Sequence, residues 1–188
     1  MEGHRRDVRD AVLDATATLV EQHGLRSVTM SAIAEEAGIA RATLYRYFPD
    51  LEAILHAWHE RQLTAHLNAL TASRDQADSP IERLEAVLTT YARLSTASRR
   101  HRDGELAARL HATKDVARTT SRLHDMVTDL IEAGIRAGEL RGDVPAEELA
   151  TYCLHALAAA GDLPSEAAVH RLVGVTLGGL HPGPRPHS

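Results

Sequence analysis

The sequence predicts an all-α protein of about nine helices, and two observations carry that prediction. Only 3% of the 188 residues are aromatic and 44% are hydrophobic, with the helix formers Ala, Leu, Arg and Glu abundant. Apolar residues also recur at intervals of three and four along most of the chain, which is the spacing of one helix face. A chain of this length and hydrophobic content can bury a real core.

Charge and cysteine content limit the functions to consider. The formal net charge is −5 and the first 48 residues hold six arginines against seven acidic residues, so any contact with nucleic acid must be local. The single cysteine, Cys153, cannot form an intramolecular disulfide. No charged-then-apolar leader or long apolar run opens the chain, so we expect a cytoplasmic protein with no membrane partner.

Three short helices are predicted within residues 1–50. The first covers residues 5–23 and ends at Gly24, the second follows Thr29 as N-cap, and the third covers residues 40–48. A helix-turn-helix needs a small residue where two helices cross, a glycine-like turn and apolar positions that lock the pair. Ala34 and Gly38 fill the first two positions. The apolar positions are Ile33, Ala37, Ile39, Leu44 and Phe48. These residues predict a helix-turn-helix domain.

The outward face of the third helix predicts contact with DNA. If Leu44 points inward, Ala42 and Arg46 point outward and Thr43 and Tyr45 flank them. An arginine there can donate two hydrogen bonds to guanine or phosphate, and Thr43 and Tyr45 add hydroxyl groups. Arg41, in the first turn, can reach a phosphate. The alternative is that these are ordinary solvated residues, but Glu and Lys would then be more usual.

Longer helices are predicted in a second domain, residues 51–180. They cover approximately residues 51–71, 80–97, 104–112, 115–137, 147–160 and 165–180. Ser79, Pro80 and Glu82 form a capping box with proline at the first helical position. Residues 181–188 contain three prolines and are expected to be a disordered tail.

Residues 28–50, VTMSAIAEEAGIARATLYRYFPD, resemble the N-terminal signature of the tetracycline-repressor (TetR) family. The resemblance covers about the first 60 residues, and residues 133–144 more weakly resemble the link between helices 7 and 8 of that family. Carried onto this sequence, the family's DNA contacts fall on Thr29, Ser31, Arg41, Ala42, Thr43, Tyr45 and Tyr47. The family commonly has a phosphate-binding lysine where this chain has Leu51, so that contact should be missing and Arg46 is a candidate to compensate.

The resemblance also implies an effector domain that binds a small molecule and forms a homodimer through its last two helices. The apolar stripes that would need a partner contain Leu149, Tyr152, Cys153, Leu157, Val169, Leu172, Val173 and Thr176. The alternative is that these residues pack inside one subunit. The pocket candidates are Trp58, Tyr91, Leu110, His111 and Met126. Ordinary partly buried residues are the equally plausible alternative.

Twelve histidines suggest a metal site, and His56 and His59 share one helix face. A third ligand at fitting spacing is absent unless His66 or a distant residue joins them, so we predict no metal. The sequence contains no Gly-rich phosphate loop, Cys-x-x-Cys or His-Glu-x-x-His motif, so no enzyme or cofactor is predicted. The preferred interpretation is a repressor released from a palindromic operator by an unknown small-molecule effector. The alternative is a ligand-sensing helical scaffold that binds protein partners, with weak or no DNA binding.

Overall fold

The computed structural model describes residues 2–99 and 114–182, with side-chain surroundings described for residues 5–97 and 116–182. These residues form two compact units, one of residues 2–64 and 114–116 and one of residues 65–99 and 117–182. In this described part of the chain every regular element is helical, with eight α-helices and two short 3₁₀ helices. The predicted all-α class is therefore confirmed.

The eight helices are α1 (Glu2–His23), α2 (Met30–Glu36), α3 (Arg41–Tyr47), α4 (Leu51–Asp75), α5 (Pro80–Arg99), α6 (Lys114–Arg136), α7 (Ala146–Ala158) and α8 (Glu166–Gly178). The predicted helix at residues 104–112 and the tail from residue 183 lie outside the described residues. Helix α4 is four residues longer than predicted. Helices α7 and α8 are shorter, because the 3₁₀ helix Ala159–Asp162 follows α7 and a turn at residues 179–180 follows α8.

The first unit is organised around one buried apolar cluster from α1 to α4. Its fully buried side chains are Val12, Val20, Ile33, Leu44, Ile54 and Leu55. The local signals for the helix ends are as predicted: Gly24 follows α1 with φ +75°, and the Ala32 N–H donates to the Thr29 hydroxyl at the start of α2. Asp50 caps α4 by accepting a hydrogen bond from the Ala53 N–H at 2.8 Å. These caps fix the short helices in place.

The second unit has its own core, built from α5 to α8 and the end of α4. Its fully buried side chains include Leu84, Leu88, Ile131, Leu157 and Leu180. The predicted capping box is present, because the Ser79 N–H donates to Glu82 and the Glu82 N–H donates to the Ser79 hydroxyl. The hydrogen bonds that the Glu82 carboxylate accepts from Ser79, chiefly from its backbone N–H, hold the pKa of Glu82 below its usual value.

Cys153 lies within this second core and is fully buried. Burial raises the pKa of its thiol to about 12, so the sulfur stays protonated at neutral pH. A search of the described helices finds none that is both long and apolar enough to cross a membrane.

Candidate nucleic-acid interface

The connection between α2 and α3 has the geometry of a helix-turn-helix. Helix α2 ends in a Schellman motif, in which the Ile39 N–H donates to Ala34 O at 3.0 Å and the Gly38 N–H donates to Glu35 O at 3.1 Å. Gly38 has φ +65°, a conformation that other residues adopt only with strain. Ala34 is buried beneath the turn. The small residue and the glycine predicted from the sequence therefore set the angle between the two helices.

Helix α3 presents the predicted outward face to solvent. Leu44 is fully buried and Phe48 is 2% exposed, whereas Tyr45 is 49% exposed. Arg41, Ala42 and Arg46 are also exposed, and Thr43 and Tyr47 are half-buried. On α2, both Thr29 and Ser31 are exposed. The Thr29 hydroxyl oxygen accepts a bond from the Ala32 N–H, which leaves its own proton available to an external acceptor.

The charge of this face is locally positive although the first unit as a whole is not. Residues 37–49 contain two arginines and no acidic residue. Within the described residues, neither Arg41 nor Arg46 takes part in an ion pair. In contrast, Arg61 is paired with Asp14 at 2.8 Å. Both arginines of α3 are therefore available to an anionic partner.

One contact beside this face could not be predicted from sequence spacing. The guanidinium carbon of Arg9, on α1, lies 4.5 Å from the centroid of the Phe48 ring. No local pattern pairs residues 39 positions apart, so Arg9 was not among the predicted site residues. Leu51, where the family commonly has a lysine, is half-buried and packs against the core of the first unit.

The residues predicted for dimerisation differ in their exposure to solvent. Tyr152 is 46% exposed and Leu172 is half-buried. The remaining six are buried in the core of a single chain: Leu149, Cys153, Leu157, Val169, Val173 and Thr176. Val175, which was not predicted, is 69% exposed on α8. The interior side of the stripe therefore packs as in the intrachain alternative, and the most exposed large apolar side chains of α7 and α8 are Tyr152 and Val175.

The predicted pocket residues belong to different parts of the molecule. Trp58 is buried in the core of the first unit, while Tyr91 and Met126 are half-buried against the core of the second. Leu110 and His111 lie outside the described residues.

A separate surface groove of about 330 Å³ in the second unit is lined by His124, Glu147, Glu148 and Thr151. His124 Nε2 lies 3.1 Å from the Thr151 hydroxyl oxygen. That hydroxyl donates to Glu147 O, so the His124 ring donates to it. None of these residues was in the predicted ligand set.

The histidines suggested as metal ligands do not come together with enough partners. His56 Nε2 lies 3.7 Å from a Glu52 carboxylate oxygen. Burial lowers the pKa of His66 below its usual value. Over the described ranges, no group of three or more His, Cys, Asp or Glu side chains is arranged to hold a metal ion.

The crossing of α2 and α3, the Schellman turn and the exposed cationic face define a helix-turn-helix protein. Two family models match the chain: bacterial regulatory proteins of the tetR family over residues 12–58, and the C-terminal domain of SbtR-like transcriptional regulators over residues 79–182. The second match alone covers more than half of the chain. This protein belongs to the TetR family of bacterial transcriptional regulators, as the sequence signature predicted.

Similar proteins agree with this assignment. An HTH-type transcriptional regulator of Mycobacterium tuberculosis is 36% identical over 85 residues, covering 45% of this chain and 42% of the relative. The HTH-type transcriptional repressor KstR of Rhodococcus jostii is 32% identical over 98 residues, covering 47% of this chain and 41% of KstR. The matches therefore span less than half the length of these curated relatives.

Solved structures share the fold over nearly the whole chain. A TetR/AcrR-family regulator from Thermobifida fusca has a TM-score of 0.76 at 19% identity, covering 92% of this chain and 98% of its own. The ketosteroid transcriptional regulator KstR2 of Mycobacterium tuberculosis has a TM-score of 0.67 at 18% identity, covering 93% and 95%. At these identities the likeness establishes the fold.

Proposed function

We propose that this chain is a sequence-specific DNA-binding transcription regulator whose α3 enters the major groove. The observation that carries the proposal is the exposed face of α3, with two arginines, an exposed Tyr45 and no acidic residue. An arginine can donate two hydrogen bonds to guanine O6 and N7. Thr29, Ser31 and Tyr47 flank this face and would contact the backbone, which fixes register and does not read sequence.

The proposed regulator acts as a homodimer on a near-palindromic operator. Two recognition helices related by a two-fold axis would read major grooves one helical turn apart, ~34–36 Å. We assign the dimer contacts to the outward sides of α7 and α8, because Tyr152 and Val175 remain exposed there. Gly174 and Gly178 lie beside Val175 on α8, and their lack of side chains would let a partner helix approach closely.

A small-molecule effector that binds the second unit would release the operator. Helix α4 supplies Ile54 and Leu55 to the first core and Leu70 to the second, so it is the proposed lever for this coupling. Allosteric coupling of this kind is typically about 1–3 kcal/mol. Tyr91 and Met126 remain the pocket candidates. The role proposed is regulatory, in the cytoplasm, with no catalytic step and no cofactor.

The test begins with selection of bound duplexes from a random DNA library, followed by fluorescence anisotropy of the enriched site at two salt concentrations. We expect a near-palindromic site with a dissociation constant on the order of 10⁻⁸–10⁻¹¹ M. The affinity should fall steeply with salt, because phosphate contacts release counterions. If no duplex is enriched, the proposal is wrong and the protein-binding scaffold becomes the leading interpretation.

A pair of double variants tests whether α3 carries the specificity. Thr43→Ala with Tyr45→Ala should weaken operator binding by about thirtyfold to ten-thousandfold, since each of two base contacts contributes roughly 1–3 kcal/mol and 1.4 kcal/mol corresponds to tenfold. The matched control is Thr120→Ala with Ser121→Ala, two exposed positions on α6. Equal operator affinity of both double variants would contradict the assignment of α3 as the recognition helix.

A further inference from the structure

Arginine is concentrated at the beginning of α1. Three of the six arginines among the first 48 residues are Arg5, Arg6 and Arg9, and all three are exposed. Arg5 and Arg9 are four residues apart, which places them on the same side of the helix. Like charges at this spacing repel each other, and an anion bound near both would relieve that repulsion.

This arginine pair lies beside the end of the recognition helix. Phe48 is the C-cap of α3, and the Arg9 guanidinium lies over its ring at 4.5 Å. This cation–π contact restrains the guanidinium beside the ring, and its N–H donors can still reach an external acceptor. Arg5 is one turn nearer the N-terminus of α1 on the same side. Arg9 therefore adds a cation beside the C-terminal end of α3, and Arg5 adds a second one turn away on the same side of α1.

Within the described residues, neither arginine has an acidic partner. In the part of the chain that the structure describes, no ion pair involves Arg5 or Arg9. The Asp14 carboxylate, also on α1, pairs with Arg61 and not with either of these arginines. The pair is thus positioned, exposed and available to an external anion.

The beginning of α4 supplies no cation of its own. Leu51 is half-buried against the core of the first unit. The preceding residue, Asp50, is a carboxylate that caps α4 and would repel a phosphate. The beginning of α4 therefore adds no positive charge to that of Arg46, which lies in the last turn of α3.

We propose that Arg5 and Arg9 form a phosphate clamp that holds the DNA backbone next to the end of α3. The partner is the phosphodiester backbone of duplex DNA flanking the bases that α3 reads. The clamp contributes affinity and orientation and does not contribute sequence discrimination. This inference rests on the proposed function, because it requires α3 to lie in the major groove.

The test compares operator binding by the full chain and three variants, using fluorescence anisotropy across a salt series. Arg5→Ala removes one exposed cation, Arg9→Met removes the other while keeping apolar packing on Phe48, and Arg122→Ala is the control on α6. We expect Arg5→Ala and Arg9→Met each to weaken binding roughly tenfold. Each should lower the slope of log K against log salt by about 0.9 per lost phosphate contact, or about 1.8 for a dimer.

The ratio of affinities for operator and scrambled duplex should stay unchanged in both clamp variants, because phosphate contacts carry no sequence information. Arg5→Lys should recover most of the affinity. Unchanged affinity and salt slope in Arg5→Ala and Arg9→Met, with wild-type binding intact, would overturn the clamp and leave the proposed function standing. Failure of the wild-type chain to select any duplex would overturn both.

Discussion

Glycine at position 134 is required by packing and not by backbone conformation. Gly134 lies inside α6, where a Cβ atom would sit 2.6 Å from Leu140 Cδ1 and 2.8 Å from Leu140 Cγ. Leu140 is only 3% exposed, so its side chain has little space to move aside. The chain turns back after Gly138, whose φ is +75°, and this turn brings Leu140 onto the Gly134 backbone. The absence of a side chain at position 134 therefore lets Leu140 pack against the last turns of α6.

We predict that Gly134→Ala lowers the free energy of unfolding by up to about 2 kcal/mol. Overpacking a core costs about 1–3 kcal/mol, from which the ~1 kcal/mol that alanine gains over glycine within a helix is subtracted. Denaturant unfolding measures the change, with m-values compared to check that unfolding stays cooperative. In a Leu140→Ala background the clash is absent, so the same substitution should stabilise the protein. Equal losses in the two backgrounds would show that contact with Leu140 is not the cause.

Among the helices, the connection from α6 to α7 is tied to the end of α8. Arg141 donates two hydrogen bonds to the Asp143 carboxylate, from Nε at 2.8 Å and from Nη2 at 2.7 Å. Its Nη1 donates to Gly179 O at 3.3 Å, and its backbone N–H donates to Leu180 O at 2.9 Å. The Arg141 guanidinium holds the pKa of Asp143 below its usual value. One arginine therefore links a loop to the carbonyls that end a helix.

We predict a small, pH-dependent effect of Asp143→Asn. Because the folded pKa of Asp143 is depressed, its contribution to stability is present above the unfolded value of 3.8 and is lost as the pH falls below it. Thermal unfolding at pH 7 should show a Tm lower by roughly 1–3 °C, since the pair is at the surface. The difference from wild type should shrink below about pH 3.8. Asp125→Asn, at an exposed position on α6, is the control, and a deficit that persists undiminished at pH 3 would contradict this account.

The helix ends that carry a local capping signal were predictable from the sequence, whereas the contacts between helices were not. Gly24, Thr29 and Ser79 act through hydrogen bonds to residues a few positions away, so their sequence context is enough to define them. The stacking of Arg9 on Phe48 joins residues far apart in the chain and depends on tertiary packing. Periodicity on α7 and α8 likewise identified apolar stripes without showing which side faced the chain's own core.

For the whole molecule, the main question is what covers the apolar surface that remains on the second unit. Tyr152 is 46% exposed and Val175 is 69% exposed. The Tyr152 hydroxyl lies close to Gly179, where an added Cβ would be only 3.3 Å from its oxygen. The buried side of α7 and α8 already forms the core of the unit. These two exposed side chains are the observation on which the proposed interface between copies of this chain rests.

We predict that Val175→Arg converts a dimer into a monomer. The substitution places a charge at the centre of the proposed interface in both subunits, and an uncompensated buried charge costs roughly 3–5 kcal/mol. The dimer dissociation constant should therefore rise by at least about a hundredfold, since 1.4 kcal/mol corresponds to tenfold. Sedimentation equilibrium measures this change.

Ala72→Arg, at an exposed position on α4, controls for added charge and size and should leave the dimer intact. Operator affinity should also fall when the dimer is lost, because a single DNA-binding domain can occupy only one half-site. A Val175→Arg chain that remains dimeric and binds the operator as tightly as wild type would place the interface on another surface.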